Sequence, residues 1–323
     1  MKRRLFLKAA SASAVGTAIS THYWDTIQAA LARDADKSIP YRLYKDSTKL
    51  SIVGFGGIVV VGQPQADANR EVARAIDRGV NYFDVAPTYG NGEAEEKLGI
   101  ALKPYRKSAF LACKTQKRDA AGARTELENS LRVLNTDHFD LYQLHAMSKM
   151  EDVDVVLGPG GALETFLKAR KEGKVRYIGF SAHNEDVALR LLDEFPFDSV
   201  LFPINYVCFA QGNFGPRLLK KVKEKNVACL ALKSLAYTRW ADKEKRRANH
   251  PKCWYQPISD LEKASLALRF TLSENITAAI PPGDEKIYRI AETLAAQFTP
   301  LSPAERKSLL ASSTNLAPIF RNG

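Results

Sequence analysis

Cysteine and long hydrophobic runs are both scarce in this sequence, and each shortage excludes a class of protein. Four cysteines in 323 residues show neither close pairs nor a zinc-site spacing, so we expect free thiols, with disulfides only by accident of the fold. The amino-terminal apolar run is too short and too weak to span a bilayer. Although the formal net charge is +11, there is no long basic stripe within a known nucleic-acid-binding module. Disulfide-built, membrane-spanning and nucleic-acid-binding proteins are therefore disfavoured.

The first 32 residues have the pattern of a targeting segment. The run "KRRLFLK" precedes a short stretch rich in alanine and serine, and this order resembles a bacterial twin-arginine export signal. The sequence "ALA" at 30–32 offers a small-residue cleavage site before Arg33. The resemblance implies export of a folded protein to the periplasm, without stable membrane association afterwards. The alternatives are an amphipathic helix or an uncleaved anchor, which would leave the protein cytoplasmic or membrane-tethered.

From residue 41 onward, short apolar runs alternate with longer amphipathic segments. Segments such as "ANREVARAIDRG" and "ARTELENSLRVLN" place apolar residues at three- and four-residue spacing, which is typical of helices. Buried strands that alternate with helices indicate parallel pairing, and eight such units predict a closed (β/α)8 barrel, the TIM barrel. No low-complexity linker interrupts residues 33–323, which are therefore predicted to form one domain. The strand candidates are "LSIVGFGG", "NYFDVA", "AFLACKT", "FDLYQLHA", "VRYIGFSA", "SVLFPINY", "ACLALKSL" and "TAAIPPG".

Polar residues stand where the predicted strands end, which is where such a barrel builds its active site. Strand two ends in Asp84 with Tyr89 in the following loop, strand three ends in Lys114, and strand four ends in His145. Neighbouring parallel strands lie about 4.8 Å apart, so the side chains from the three strands should lie roughly 5 to 10 Å from one another. An aspartate at the end of an apolar strand is then explained, because Lys114 can pair with it.

Asp84, Tyr89, Lys114 and His145, in this order, resemble the catalytic tetrad of the aldo-keto reductases. The resemblance includes "GVNYFDVAPTYGNGEAEEKLG", "ARTELENSLRVLNTDHFDLYQLH" and "GKVRYIGFS", and it covers nearly all of residues 41–298. It implies reduction of an aldehyde or ketone with a nicotinamide cofactor, Tyr89 being the proton donor. Lys114 would lower the pKa of Tyr89, Asp84 would hold Lys114, and His145 would orient or polarise the carbonyl group.

The same resemblance implies a cofactor site for NADP, with NAD as the alternative. Ser181 is followed by alanine where many members have asparagine, and Leu232 with Lys233 stands where a stacking tyrosine is usual. A proline replaces a frequent basic residue after strand eight, so Gly283 and the next helix would hold a phosphate through backbone amides. Arg289 is the nearest candidate for the extra phosphate of NADP. The expected cofactor contacts are Gly56, Gly57, Ser181, Asn205, Leu232, Lys233, Gly283 and Arg289.

Three other interpretations fit parts of this pattern. A non-catalytic barrel that binds nicotinamide nucleotide as a redox sensor or partner subunit would not need Tyr89. A metal-dependent hydrolase could use Asp84, His145 and His183, whereas the tetrad interpretation assigns no metal. A two-domain dinucleotide fold based on "GFGG" lacks the rest of the glycine fingerprint. His183 either contacts the cofactor or caps the following helix, and the residues alone leave both open.

The segment after the seventh predicted strand, "YTRWADKEKRRANHPKCWYQPIS", is longer than the usual connection of about 2 to 6 residues. Its aromatic and basic side chains suit a small polar or anionic carbonyl substrate, such as a sugar derivative. The alternative is a solvated lid whose aromatic residues only fix it to the barrel. The residues concerned are Tyr237, Arg239, Trp240, Lys243, Lys245, Arg246, Arg247, Lys252, Trp254 and Tyr255.

Overall fold

A computed structural model describes residues 38–242 and 248–322 of the chain. The predicted targeting segment at 1–32 and its cleavage site lie outside these residues, as does the basic run at 243–247. Among the helices described, none combines the length and the apolar character that a membrane crossing needs. All four cysteines are described and buried, and no disulfide joins any two of them.

Eight parallel strands form one sheet, in which each strand pairs with the next one along the chain. The sheet closes on itself because Gly54 N donates to Ala279 O over 2.9 Å and Ala279 N donates to Ile52 O over 2.8 Å. The predicted (β/α)8 barrel is therefore confirmed. Its strands are β3 (Phe55–Gly56), β4 (Tyr82–Asp84), β5 (Phe110–Thr115), β6 (Phe139–Met147), β7 (Val175–Ala182), β8 (Ser199–Pro203), β9 (Ala228–Leu232) and β12 (Ala278–Ile280).

A hairpin covers the amino-terminal end of the barrel, and it corrects the first predicted strand. The continuous strand predicted over 50–57 is wrong, because β1 (Tyr41–Lys45) and β2 (Thr48–Ser51) pair with each other outside the barrel sheet. The ring of Tyr44 lies 5.2 Å from that of Phe110 and 5.2 Å from that of Tyr177, which stand near the starts of two barrel strands. The apolar run therefore serves two elements, first the hairpin that covers the barrel and then the short strand β3.

Helices lie between the strands and start where the sequence supplies a cap. Asp119, Asn184 and Asp260 each accept a hydrogen bond from a backbone amide in the first turn of the helix that follows. Ser302 and Glu305 form a capping box. The helices are α1 (Gln65–Asp77), α2 (Glu93–Ala101), α3 (Ala120–Val133), α4 (Met150–Leu157), α5 (Ala162–Lys171), α6 (Glu185–Glu194), α7 (Tyr206–Gly212), α8 (Pro216–Lys225), α9 (Leu261–Ser273), α10 (Glu285–Ala296) and α11 (Pro303–Ala311).

Two segments reach the carboxyl end of the barrel from outside the repeating units. The segment after β9 contains a two-stranded hairpin, β10 (Ala236–Arg239) with β11 (Tyr255–Pro257), where the sequence predicted only a long connection. The tail after α11 runs to the end of α7, where Asn322 N donates to Gly212 O over 3.0 Å. Both segments therefore stand beside the strand ends at which the candidate site lies.

Candidate active site

Asp84 lies at the carboxyl end of β4 and accepts hydrogen bonds from three side chains. The ammonium group of Lys114, on the neighbouring strand β5, donates to Oδ1 and forms an ion pair with it. Gln143 Nε2 donates to Oδ2 over 3.1 Å, and the Tyr82 hydroxyl donates to the same oxygen over 3.3 Å. Asp84 is 2% exposed and Lys114 is 0% exposed, so each buried charge depends on the other.

Lys114 connects this carboxylate to Tyr89. Its Nζ lies 3.3 Å from the Tyr89 hydroxyl oxygen and donates to Val85 O over 3.2 Å. Burial alone lowers the pKa of Lys114, but the neighbouring Asp84 and Tyr89 raise it above its ordinary value. Lys114 is therefore a permanent cation at neutral pH, placed directly against the hydroxyl group of Tyr89.

Tyr89 begins a short 3-10 turn, Tyr89–Gly92, whose backbone explains the glycines that follow it. Gly90 has φ 62°, and a Cβ at this position would lie 2.8 Å from Val61 Cγ1. Burial raises the pKa of Tyr89 above its ordinary value, and the charge of Lys114 only partly reverses this effect. The expected lowering effect of Lys114 on this pKa is therefore present, but burial, which the sequence could not show, outweighs it. Tyr89 is protonated at neutral pH.

His145 stands opposite Tyr89, with the two ring centroids 5.8 Å apart and the rings nearly perpendicular at 83°. It is 9% exposed, and among the described residues its Nδ1 is buried without a hydrogen-bond partner. Burial, reinforced by the charge of Lys114, lowers the pKa of His145 to about 2. The imidazole ring is therefore neutral across the physiological range. Asp84, Tyr89, Lys114 and His145 lie together, as the strand spacing predicted.

The backbone at and after His145 forms hydrogen bonds with the side chains of residues on two neighbouring segments. Ala146 has φ 55°, which is uncommon for a residue with a side chain, and its amide donates to Ser181 Oγ over 2.8 Å. Arg118 Nη2 donates to the carbonyl oxygen of His145 over 2.9 Å, while its Nε pairs with Asp152. Ser181 therefore has a structural function at the strand end besides its predicted contact with the cofactor.

The described residues fit the nicotinamide end of a cofactor. Asn205 caps α7 by accepting a hydrogen bond from Cys208 N over 2.9 Å, and it is 1% exposed. Its Nδ2 is buried without an acceptor among the described residues. A buried amide donor is costly unless an acceptor completes it, and the carboxamide oxygen of nicotinamide would be such an acceptor. Ser181, Asn205 and Leu232 lie at the carboxyl ends of three neighbouring strands, and their contact with this ring stays a prediction.

The three glycines predicted to contact the cofactor also have packing reasons. A Cβ at Gly56 would lie 3.1 Å from Ile280 Cγ2, and one at Gly57 would lie 2.9 Å from Val85 Cγ2. Gly283 lies against Ile58, where a Cβ would come within 2.4 Å of the isoleucine side chain. Close packing of this kind explains glycine at these positions, and their contact with a cofactor stays a prediction.

Two backbone amides at the helix start predicted to hold a phosphate already have a hydrogen-bond partner within the chain. Asp284 accepts hydrogen bonds from the amides of Lys286 and Ile287, each over 3.1 Å, so two of the expected free donors of α10 are taken. Arg289 forms an ion pair with Glu71 of α1. Two amides of the predicted phosphate site are thus engaged by Asp284 and Arg289 is paired with Glu71, and the phosphate contact of this helix start stays a prediction.

The hairpin segment after β9 is fixed to the barrel through several of its predicted substrate residues. Lys252 Nζ pairs with Glu285 over 2.5 Å and donates to Val59 O over 2.9 Å. Trp240 Nε1 donates to Cys253 O over 3.0 Å. Trp254, in contrast, is 47% exposed, and its ring lies beside the ammonium group of Lys233. Part of the segment is thus packing, as the lid alternative expected.

Sequence reasoning missed three residues of the site. Tyr82 and Gln143 each lie two positions before a tetrad residue on the same strand, so their side chains share its face, and this spacing was the signal available. Phe320, in the tail, stacks on His183 with ring centroids 5.2 Å apart and an interplanar angle of 6°. No periodic pattern leads to Phe320.

The described residues bring no three His, Cys, Asp or Glu side chains together in a way that could hold a metal ion.

Comparison with known proteins agrees with this geometry. The model of the aldo/keto reductase family matches residues 53–312. The "Uncharacterized oxidoreductase YqkF" of Bacillus subtilis is 25% identical over 290 residues, covering 80% of this chain and 92% of that protein. The aldo-keto reductase AKR11C1 from Bacillus halodurans superposes with a TM-score of 0.67 at 22% identity, covering 88% of this chain and 98% of that one. An aldo-keto reductase from Klebsiella pneumoniae in complex with NADPH gives a TM-score of 0.65, with the same identity and coverage.

The closed barrel, together with the family match, defines the class of the protein as an oxidoreductase. More specifically, the chain belongs to the aldo/keto reductase family. Its reaction is the NAD(P)H-dependent reduction of a small carbonyl compound to an alcohol, and NADPH is the cofactor of the family. The predicted fold, enzyme class and cofactor are thereby confirmed.

Proposed function

We propose that Tyr89 donates the proton in this carbonyl reduction, assisted by Lys114 and Asp84, and that His145 orients the carbonyl oxygen. The observation that carries the proposal is the unbroken chain of contacts from Asp84 through Lys114 to the Tyr89 hydroxyl, 3.3 Å from Nζ. When bound, the reduced nicotinamide supplies the hydride. The protein supplies the proton, the position of the carbonyl group and the charge that stabilises the phenolate.

The pKa shifts separate the roles of the two candidate acids. Tyr89 carries its proton at neutral pH because burial raises its pKa. After it gives this proton to the carbonyl oxygen, the phenolate lies against the ammonium group of Lys114, which Asp84 keeps in place. His145, with a pKa of about 2, has no proton to give as an acid. As a neutral ring it donates a hydrogen bond and positions the oxygen.

The first test is Tyr89→Phe, with Tyr105→Phe as the matched control in the turn before β5. NADPH oxidation should be followed with a panel of aldehydes, and NADPH binding by fluorescence titration. Loss of the proton donor should lower kcat by roughly 10²- to 10⁴-fold while NADPH affinity stays unchanged. Comparable turnover in Tyr89→Phe and the control would show that another group is the acid. A wild-type protein that binds NADPH without turning over any aldehyde would favour the nucleotide-binding barrel instead.

The proposal also includes the particular cofactor contacts and the kind of substrate. Ser181, Asn205 and Leu232 hold the nicotinamide ring, and Arg289 binds the extra phosphate of NADP after it separates from Glu71. The basic and aromatic residues around the barrel mouth suit a polar or anionic carbonyl compound, including sugar derivatives. The exposed ring of Trp254 beside the Lys233 ammonium is the described feature that supports such a substrate.

Export to the periplasm by the twin-arginine route completes the proposal. Support comes from "KRRLFLK" and the small-residue site at 30–32. This route carries proteins that have already folded. The four buried cysteines agree with it, because none forms a disulfide with another and the barrel can therefore fold in a reducing compartment before export.

A further inference from the structure

Lys233 directly follows β9, and its backbone conformation is unusual for a lysine. It adopts a left-handed backbone conformation with φ 64°, which residues with side chains seldom do. Its ammonium group lies 5.7 Å from the ring centroid of Trp254 and 5.9 Å from that of Phe320, both within the usual range of a cation–π contact. One aromatic residue comes from the hairpin segment and the other from the tail. Three separate parts of the chain therefore build one site around this cation.

The cation has no carboxylate partner among residues 38–242 and 248–322. Most partly buried lysines and arginines of the barrel are paired, as Lys114 is with Asp84 and Lys252 is with Glu285. Burial lowers the pKa of Lys233 to about 8, which leaves it mostly protonated at neutral pH. The Lys233 charge lies against two aromatic faces and has no anionic partner among the described residues, so it is only partly stabilised. An anionic group would therefore bind favourably there.

His183 offers a second, uncharged donor next to this cation. Its ring is held parallel to Phe320, and among the described residues its Nε2 is buried without a hydrogen-bond partner. Burial and the charge of Lys233 lower the pKa of His183 to about 3, so the ring is neutral. The tautomer with a proton on Nε2 donates one hydrogen bond to an acceptor at this place. A group with two acceptor oxygens would satisfy both Lys233 and His183.

This pair lies on the catalytic side of the barrel mouth. His183 and Lys233 are both close enough to His145 to lower its pKa, and the His145 ring lies 5.8 Å from that of Tyr89. A substrate held by Lys233 and His183 can therefore extend its carbonyl group toward Tyr89. The two ends of one small molecule would be bound by different residues, one end for recognition and the other for reaction.

We infer that Lys233 and His183 bind a carboxylate on the substrate, so that the enzyme reduces carbonyl compounds that also carry a carboxylate, such as aldehyde acids. The inference rests on the proposed function of the tetrad and adds the substrate class. One cation and one neutral N–H match a singly charged anion, whereas a phosphate dianion would call for more positive charge. Trp254 and Phe320 enclose the carbon chain between the two ends.

The test uses binding, so that it does not depend on turnover. The protein saturated with NADP⁺, which cannot reduce a carbonyl, is titrated by calorimetry with 4-oxobutanoate and with its neutral methyl ester. The wild type should bind the acid roughly 10- to 100-fold more tightly than the ester, as for a charge-assisted hydrogen bond. In Lys233→Met this difference should disappear, whereas Lys263→Met, an exposed lysine of α9, should keep it.

Two further measurements make the test decisive. His183→Phe keeps the stacking on Phe320 but removes the nitrogen, and it should reduce the preference for the acid without weakening ester binding. Equal binding of acid and ester by the wild type, or no binding of either, would overturn the inference. So would a preserved acid preference in Lys233→Met accompanied by a loss of NADP⁺ affinity, because Lys233 would then contact the cofactor as first predicted. A failed Tyr89→Phe test with these binding results intact would refute only the proton donor.

Discussion

Asp84 shows how a buried charged group can be held in place by several neighbouring side chains. Lys114, Gln143 and Tyr82 all donate to its carboxylate, so the ion pair is fixed in position as well as in charge. Breaking such a buried pair by removing one partner is typically unfavourable by about 3 to 5 kcal/mol. The geometry at Tyr89 therefore depends on a stable internal network that starts two strands away.

The buried neutral histidines predict how stability depends on pH. His145 and His183 have pKa values of about 2 and about 3 in the folded protein, against about 6.5 in an unfolded chain. Between about pH 3 and 6.5 the unfolded chain binds more protons than the native one, so the free energy of unfolding falls as the pH drops. Above about 6.5 these groups contribute no pH dependence.

Urea unfolding of the wild type and of His183→Phe from about pH 4 to about 7.5 measures this effect. Below pH 6.5 the slope of the free energy of unfolding against pH should be smaller in the variant by up to about 1.4 kcal/mol per pH unit, because one proton fewer is taken up on unfolding. All other titrating groups are common to both proteins. Identical slopes would mean that His183 is protonated in the folded state.

The tail after α11 is the element that most directly connects distant sequence to the site. The carbonyl oxygen of Phe320, in this tail, lies so close to Gly212 that a Cβ added at Gly212 would be 2.4 Å from it. Asn322 is held by the backbone of Gly212 and by the side chain of Glu185. Phe320 is thereby held against His183, so the tail forms part of the proposed substrate site.

Gly212→Ala should therefore displace the tail and weaken substrate recognition. The added methyl group must move the backbone at Phe320, and a displacement of about 1 Å near a reacting group can lower kcat/KM by up to roughly 100-fold. NADPH affinity should change much less than kcat/KM, because Asn205 stands at the opposite end of α7 and the other predicted cofactor residues lie on other elements. Steady-state kinetics with an NADPH titration and thermal melting distinguish the cases. Unaltered kcat/KM in a stable variant would show that the tail only covers the barrel.

Across the whole molecule, the proposed order of events is folding first and export afterwards. Replacing Arg3 and Arg4 by lysine preserves the charge but removes the paired arginines of the signal, so the protein should accumulate in the cytoplasm. Cell fractionation and NADPH-dependent activity in each fraction measure this outcome. The cytoplasmic variant should be fully active, because the barrel residues are unaltered. An unchanged periplasmic share in the double variant would refute the route.

The barrel and the tetrad could be predicted from the sequence because both depend on local pattern. Alternating apolar strands and amphipathic helices define the repeating unit, and the unit places the carboxyl ends of its strands on one face. Asp84, Lys114 and His145 follow successive strands, so their proximity follows from chain order and strand spacing. Tyr82 and Gln143, which were not predicted, each lie two residues before a tetrad residue on the same strand, so their side chains share its face.

Only the tertiary structure decided what surrounds each of these groups. The pKa of Tyr89 is raised because burial outweighs Lys114, Arg289 is held by Glu71, and the amides at the start of α10 are taken by Asp284. Lys233 and His183 both contact Phe320 because the tail returns to the barrel mouth. Amino-acid order determines which residues an element presents and on which face. Desolvation and contacts between segments far apart in the chain arise only when the chain closes, and they leave no periodic signal in the sequence.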